Sequence, residues 1–425
     1  MSTLPNGWRT VTPHQIAGED KTRLVIGPFG SNLKTSDYRS SGVPLVFVRD
    51  IRARDFENVR AFVDPEKAQE LAAHLVRPGD VLITKMGEPP GDSTVYSGTE
   101  PAVITADCIR LRPIDDFDAK FVAYAIQAPP LKQQIERITS GVAQRKVSLA
   151  RFRSGLTIPI PHLHEQRRIV EILEEHLSHL DAADAGLSNA LARLDALRAS
   201  LLSSARQGAM TPLREVSTIQ GGIQKQPRRA PRENSYPFLR VANVTAKGLD
   251  LTDVHRIELF GDELTKLRLA RGDLLVVEGN GSASQIGRAA LWDGSIEDCV
   301  HQNHLIRVRV TGDLLPEYLE AVWNSPETRA ELTAVASSSS GLHTLSVTKL
   351  KRISIPIPER AEQQSIVATL ADDRAARKRL VNEVQVARTK LSGLRRAVLA
   401  GAFSGTLTGR HTDDEVIEGM ATAHG

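Results

Sequence analysis

A gapless duplication constrains this chain more than any single motif. The segment IPIPHLHEQRRIVEIL begins at Ile158 and returns as IPIPERAEQQSIVATL at Ile355, an offset of 197 residues. The register holds well beyond those segments. Glu165-Gln166 matches Glu362-Gln363, Ile169-Val170 matches Ile366-Val367, Leu173 matches Leu370, and Leu194 matches Leu391. Further on, Leu197-Arg198 matches Leu394-Arg395, Ala205 matches Ala402, and Gly208 matches Gly405. Internal repeats of this length mean that one architectural unit is used twice.

Each repeated segment is preceded by a globular stretch that repeats more loosely. VPLVFVRDI (Val43 to Ile51) answers YPFLRVANV (Tyr236 to Val244), and RPGDVLITKMG (Arg77 to Gly87) answers ARGDLLVVEGNG (Ala270 to Gly281). CIRLR from Cys108 answers LIRVR from Leu305, and TSGVAQRKVS from Thr139 answers SSGLHTLS from Ser339. Short apolar runs bounded by Gly, Pro and Asp read as strands; Phe121 to Ile138 and Leu315 to Val335 read as helical. The expected fold class is α+β, with two similar mixed α/β domains of about 150 residues each. Matching frameworks with dissimilar loops suit one scaffold carrying two binding surfaces.

Between and after these stretches the periodicity is helical. Leu173, Leu177, Leu180, Asp184, Leu187, Leu191, Leu194, Arg198, Leu201 and Ala205 advance in alternating steps of four and three, the seam of a coiled coil. The second copy keeps Leu370, Val381, Val384, Leu391, Val398 and Ala402 on that seam, with Arg374, Arg377, Arg388 and Arg395 among them. Residues 165–207 carry seven acids and five bases, whereas 362–404 carry four acids and eight bases. Opposite net charge favours pairing within the chain over self-association. Because each helix leaves an equivalent domain, a pseudo-two-fold arrangement makes the two antiparallel. A helix of about 43 residues spans roughly 65 Å and can act as a ruler. A plain connector or a homodimer zipper is the simpler reading of such periodicity, and the duplication of domain plus helix counts against it.

Composition adds limits. The chain has 425 residues, a net charge of +3, and two cysteines, Cys108 and Cys299, too few for a disulfide framework. A reducing cytoplasm suits that usage. MSTLPNGWRTVTPHQ lacks an apolar signal core, and no apolar run approaches the length of about 18 residues that suggests a membrane span.

Enzyme signatures fail on inspection. GNGSASQIG places Ser284 where a dinucleotide fingerprint has its third glycine, and a strand pattern comes next. There is no Walker A sequence and no Asn/Asp-Pro-Pro-aromatic tetrapeptide of the kind amino-methyltransferases use; GEPPGD at Gly87 reads as a turn. His162/His164, His176/His179 and His301/His304 lack the accompanying Cys or Glu cluster that a metal site needs, so no metal is expected.

Two full copies in this order resemble a known family. IGPFGSNLKTSDYRSSGVPLVFVRDI, IQGGIQKQPRRAPRENSYPFLRVANVTAKGLDL, GDLLVVEGNGSASQIGRAALW and TSGVAQRKVSLARFRSGLTIPIP followed by EQRRIV look like target recognition domains of Type I restriction-modification specificity subunits (the HsdS family). The resemblance runs from Gly7 to about Gly405. It implies target recognition domains at residues 1–160 and 209–357 and long conserved helices at 161–208 and 358–405; the C-terminal tail at 406–425 has no clear place in the pattern and is read as mobile. By the same resemblance each domain reads one half of a bipartite, asymmetric duplex DNA target. The helices fix the spacer and dock two modification (methyltransferase) subunits, and restriction/translocase subunits join them. The chain itself would be non-catalytic and without cofactor; S-adenosylmethionine, ATP and Mg would belong to partner subunits. The competing reading is a coiled-coil scaffold with two protein-binding domains and no role on DNA.

Reading DNA requires cations for phosphates and amide or guanidinium groups for base edges. In the first domain the candidates are Ser31, Asn32, Lys34, Arg49, Arg52, Lys85, Gln144, Arg145 and Lys146. In the second they are Lys225, Arg228, Arg229, Arg232, Asn280, Ser282, Gln285, Gln302, Asn303, His304 and His343. The Lys225–Arg232 cluster, four cations within eight residues, is the most suggestive. The GPFGS and GNGSAS loops can equally be plain turns.

Overall fold

The computed structural model describes Leu4 and residues 7–87, 90–141, 145–245, 248–279, 286–336 and 344–407. Its contacts divide the chain into two units: unit 1 comprises residues up to Gly186 and from Gln385 on, and unit 2 comprises Leu187–Val384.

Unit 1 contains β1 (Arg9–Val11), β2 (Leu24–Ile26), β3 (Val43–Val46), β4 (Phe62–Val63), β5 (Leu75–Val76), β6 (Val81–Thr84), β7 (Ser93–Val95), β8 (Ala102–Ile104), β9 (Cys108–Leu111) and β10 (Ile158–Ile160). An antiparallel sheet runs β2-β9-β6-β7, a mixed sheet runs β4-β3-β8-β5 with β3 and β8 parallel, and β1 pairs with β10. Unit 2 contains β11 (Ala209–Pro212), β12 (Ser217–Gly221), β13 (Ser235–Leu239), β14 (Val244–Thr245), β15 (Gly248–Leu249), β16 (His255–Glu258), β17 (Leu274–Val277), β18 (Ala289–Leu291), β19 (Val300–His301), β20 (Leu305–Val310) and β21 (Ser354–Ile357). Its sheets repeat the plan: β12-β20-β17-β18, then β16-β13-β19 with β13 and β19 parallel, and β11 paired with β21.

The central strands are apolar on both faces, and the two-residue period divides them between two cores. Val81 and Ile83 of β6 pack toward Phe121, Val122 and Ile126 of the helix Ala119–Gln127, while Leu82 faces Val46, Tyr96 and Ile104. In unit 2, Leu274 and Val276 of β17 join Tyr318, Leu319 and Val322 of the helix Pro316–Trp323, and Leu275 and Val277 join Leu239, Trp292 and Cys299. Each such side chain contributes about 1.5–3 kcal/mol by leaving water. Both cysteines are free and buried, and burial pushes each thiol up to about 12, where it is inert.

Two arginines in each framework are structural. Arg112 forks onto Asp80 at 2.6 and 2.7 Å, and Arg309 forks onto Asp273 at the same distances. Arg110 donates to the carbonyls of Thr22, Ala73 and Leu75; Arg307 donates to those of Lys266 and Arg268 and to the Gln220 side chain.

The first long helix spans Leu163–Ser204 and the second Arg360–Ser404. Within unit 1 they run antiparallel: Asp184 pairs with Arg388 at 3.0 Å and Asp181 with Arg395, so one sequence ascends as the other descends. Within unit 2, Arg377 pairs with Asp195. The seam is buried only where it meets a domain core. Leu173 and Leu177 are buried, whereas Leu180, Leu187, Leu191, Leu194, Leu370, Val384 and Leu391 are half-buried. Val381, expected on the seam, is instead 41% exposed. The seam arginines Arg377, Arg388 and Arg395 are only partly covered, so their charges keep part of their water. The tail expectation also needs correction at its start: Leu407 is buried in the unit 1 core, beside Phe403 and Ala402. The rest of that tail, 408–425, lies outside the described residues. No helix among the described residues is long and apolar enough to cross a membrane.

Candidate nucleic-acid interface

In both units the loops that leave one end of the sheets are tied together by the same backbone hydrogen bonds. In unit 1, Thr105 N–H donates to Val46 O, Lys85 N–H to Asp107 O, and Val147 N–H to Lys85 O. In unit 2, Gln302 N–H donates to Leu239 O, Glu278 N–H to His304 O, and Leu345 N–H to Glu278 O. The frame is therefore common while the side chains on it are exchanged. Lys85, whose Nζ donates to Ala106 O at 3.2 Å, occupies the place of Glu278, which meets His304 Nδ1 at 3.1 Å. A cation in one unit thus stands where an anion stands in the other.

A second common feature is a glycine at the root of the first loop. Ile26 pairs with Ile109 and Gly221 with Ile306, which are equivalent rungs. The next residues, Gly27 and Gly222, pass so close to the neighbouring backbone that an added Cβ would lie 2.0 Å from Thr105 O or 2.2 Å from His301 O. Only glycine permits that approach. Pro28 and Ile223 then turn inward and are buried, and the chain beyond them is exposed.

The expected contact residues separate on this frame. In unit 1, Ser31, Asn32 and Lys34 are exposed on the first loop, and Lys146 is exposed beside half-buried Arg145, which approaches Glu136 at 3.5 Å. Arg49 is exposed and lies over the Phe47 ring, 4.4 Å from its centroid. Arg52 is engaged: its Nε meets Asp92 at 2.8 Å, and Lys132 meets the same carboxylate at 2.8 Å. Burial opposes ionisation of Asp92, but Lys132 and Arg52 outweigh it and hold the carboxyl below its usual range.

In unit 2, Lys225, Arg228 and Arg232 are exposed, and Arg228 donates to Gln226 Oε1 at 2.8 Å. Arg229 behaves differently from its neighbours. Its side chain is 9% exposed, forks onto Glu263 at 2.8 Å through both nitrogens, and stacks on Phe260. It anchors the cluster, and Lys225, Arg228 and Arg232 make no ion pair among the described residues. Beside them lies a cavity of about 470 Å³ lined by Lys225, Gln226, Pro227, Phe238, His255 and Arg256. Gln302 and Asn303 are half-buried and use their N–H groups in the frame; His304 is exposed. Gln144, Asn280, Ser282, Gln285 and His343 lie outside the described residues. No group of three or more potential metal ligands occurs among the described residues.

Phe29, which is not among the expected contacts, is 64% exposed on the same unit 1 loop as Ser31, Asn32 and Lys34. Its signal was an aromatic between a proline and a glycine in an otherwise polar loop.

Residues 74–193 match the family model described as Type I restriction modification DNA specificity domain. The specificity subunit of the Type I restriction enzyme EcoKI, from Escherichia coli strain K12, is 25% identical, covering 99% of this chain and 94% of the relative. The StySPI specificity subunit of Salmonella potsdam is likewise 25% identical, with coverage of 99% and 94%. A solved chain from work on complex assembly and conformational transition of the type I restriction-modification system shares the fold, with a TM-score of 0.70 at 18% identity, covering 96% of this chain and all of that one.

Proposed function

We propose that this chain, similar over nearly its whole length to Type I restriction-modification specificity subunits, supplies the DNA sequence reading of such a complex and leaves the chemistry to other subunits. Unit 1 and unit 2 would each read one half of a bipartite, asymmetric target. The long helices would set the spacer and offer the surface on which two modification subunits dock, with restriction/translocase subunits completing the assembly. Domains at 1–160 and 209–357 and helices at 161–208 and 358–405 are the division this reading uses. Work on genomic DNA would place the protein in the cytoplasm.

One observation carries the reading. The same hydrogen-bonded frame holds Lys85 in one unit and Glu278 in the other, and Asp107 in one and His304 in the other. A scaffold that merely bound two copies of one partner would gain nothing from exchanging charges at matched positions, whereas two different DNA half-sequences require it. Exposed Lys34, Lys146, Lys225, Arg228 and Arg232 suit phosphate contacts.

The test is a mobility-shift titration of the chain with and without its modification partner, over duplexes of varied sequence and salt. The reading expects sequence-selective, salt-dependent binding by the assembled complex and no methyl transfer by the chain alone. Binding that ignores sequence and salt would contradict it.

A further inference from the structure

Resting on that reading, we propose that Phe29 is a base-reading residue of unit 1, and that it recognises an A·T pair by packing against the thymine C5-methyl group in the major groove.

The root glycines set the position. Gly27 and Gly222 are fixed by close backbone approach, and the residues after them, Pro28 and Ile223, are buried. The next position is therefore the first that each loop presents to solvent. It is Phe29 in unit 1 and Gln224 in unit 2. Phe29 leaves 64% of its surface in water, and apolar contact with a partner would be favourable there. Gln is a side chain that reads adenine by paired hydrogen bonds, and Phe is one that reads the thymine methyl by apolar contact. Matched positions thus carry two different base-reading groups.

The backbone around Phe29 is held. Asn32 N–H and Leu33 N–H both donate to Phe29 O, at 2.8 and 3.3 Å, and Leu33 is buried in the core beneath. His74 Nδ1 bonds Ile26 O at 2.8 Å on the other side of the root. The exposed ring therefore projects from an anchored turn, which lowers the entropy cost of using it. Gly30 supports the same conclusion. An added Cβ there would meet no heavy atom within 4 Å, so the fold leaves room for a side chain. A residue without one clears the space beside Phe29 for a close approach. Ser31, Asn32 and Lys34 are exposed on the same loop and offer donors to the sugar-phosphate edge.

The experiment uses the full chain assembled with its modification subunits and a duplex carrying its mapped target. Each thymine in the unit 1 half-site is replaced in turn by deoxyuridine, which lacks only the methyl, for the wild-type complex and for Phe29→Ala. One position should cost the wild type roughly fourfold in affinity, the value of burying one methyl-sized group. Phe29→Ala should bind the thymine duplex about tenfold more weakly and be indifferent to the deoxyuridine change at that position. Gly30→Ala, whose added Cβ meets no heavy atom within 4 Å, should weaken the same duplex while thermal unfolding stays unchanged. The proposal is overturned if the half-site contains no A·T pair, or if no deoxyuridine position distinguishes wild type from Phe29→Ala. It is also overturned if Phe29→Ala weakens all sequences equally. A wild-type complex without any sequence preference would instead overturn the DNA-reading function itself, and that arm is read before the variants.

Discussion

The side-chain carbonyl of Gln166 accepts the backbone N–H of Asp118 at 2.8 Å, joining the start of the first long helix to the start of the core helix Ala119–Gln127. Its amide donates to Pro161 O and Asp116 O, and the side chain is fully buried. Gln363 repeats the device, accepting Leu315 N–H at 2.9 Å and donating to Pro358 O. The glutamine of the repeated Glu-Gln dipeptide is thus a lock between domain and helix.

Removing the lock strands buried backbone groups. Gln166→Leu should destabilise unit 1 by roughly 2–4 kcal/mol, since an unpaired buried N–H or C=O costs about 1–3 kcal/mol each. Gln363→Leu should do the same to unit 2. Urea denaturation of each variant measures it; a loss within experimental error for both would contradict the role.

The buried carboxylate of Asp80 depends on its fork with Arg112 and on the Arg77 N–H at 2.8 Å. Arg112→Met should cost about 3 kcal/mol, because it leaves a charge inside without its counterion. Pairing it with Asp80→Asn should recover part of that loss. Arg309 and Asp273 should behave alike in unit 2. A double-mutant cycle that shows no coupling would refute the assignment.

His301 is fully buried, with neither ring nitrogen bonded among the described residues, and burial followed by nearby Arg307 pushes its pKa down to about 4. Arg309 lowers it further, while Asp273 and the Gln220 backbone oppose the shift. An unfolded histidine near 6.5 binds its proton more readily than the folded one. Stability from the neutral ring is therefore complete above pH 6.5 and is lost as pH falls toward 4, by about 3 kcal/mol. His301→Ile, which installs the residue that Ile104 supplies in unit 1, should flatten this acid limb. Stability measured from pH 7 to pH 4 in both proteins decides; parallel curves would contradict the prediction.

Much of this architecture was legible before the structure. Gapless repetition announced two units, short continuous apolar runs marked β6 and β17, and the four-three spacing marked the long helices. What escaped was pairing across distance. Nothing local to Arg229 signals Glu263, nor does anything near Arg52 signal Asp92, so residues of one chemical type divided into anchors and free cations only once folded. Val381 fits the heptad and still faces solvent, because periodicity reports a face and not how tightly a partner covers it. Phe29 carries neither charge nor amide, so only its exposure in the fold sets it apart from the buried aromatic residues.

The central claim is that each unit reads its own half of a DNA target. Replacing residues 211–357 with the equivalent segment of a homologous specificity subunit, and mapping methylated sites across the genome, tests it most directly. The account predicts that one half-sequence changes while the other is retained. Changes in both halves, or in neither, would contradict it.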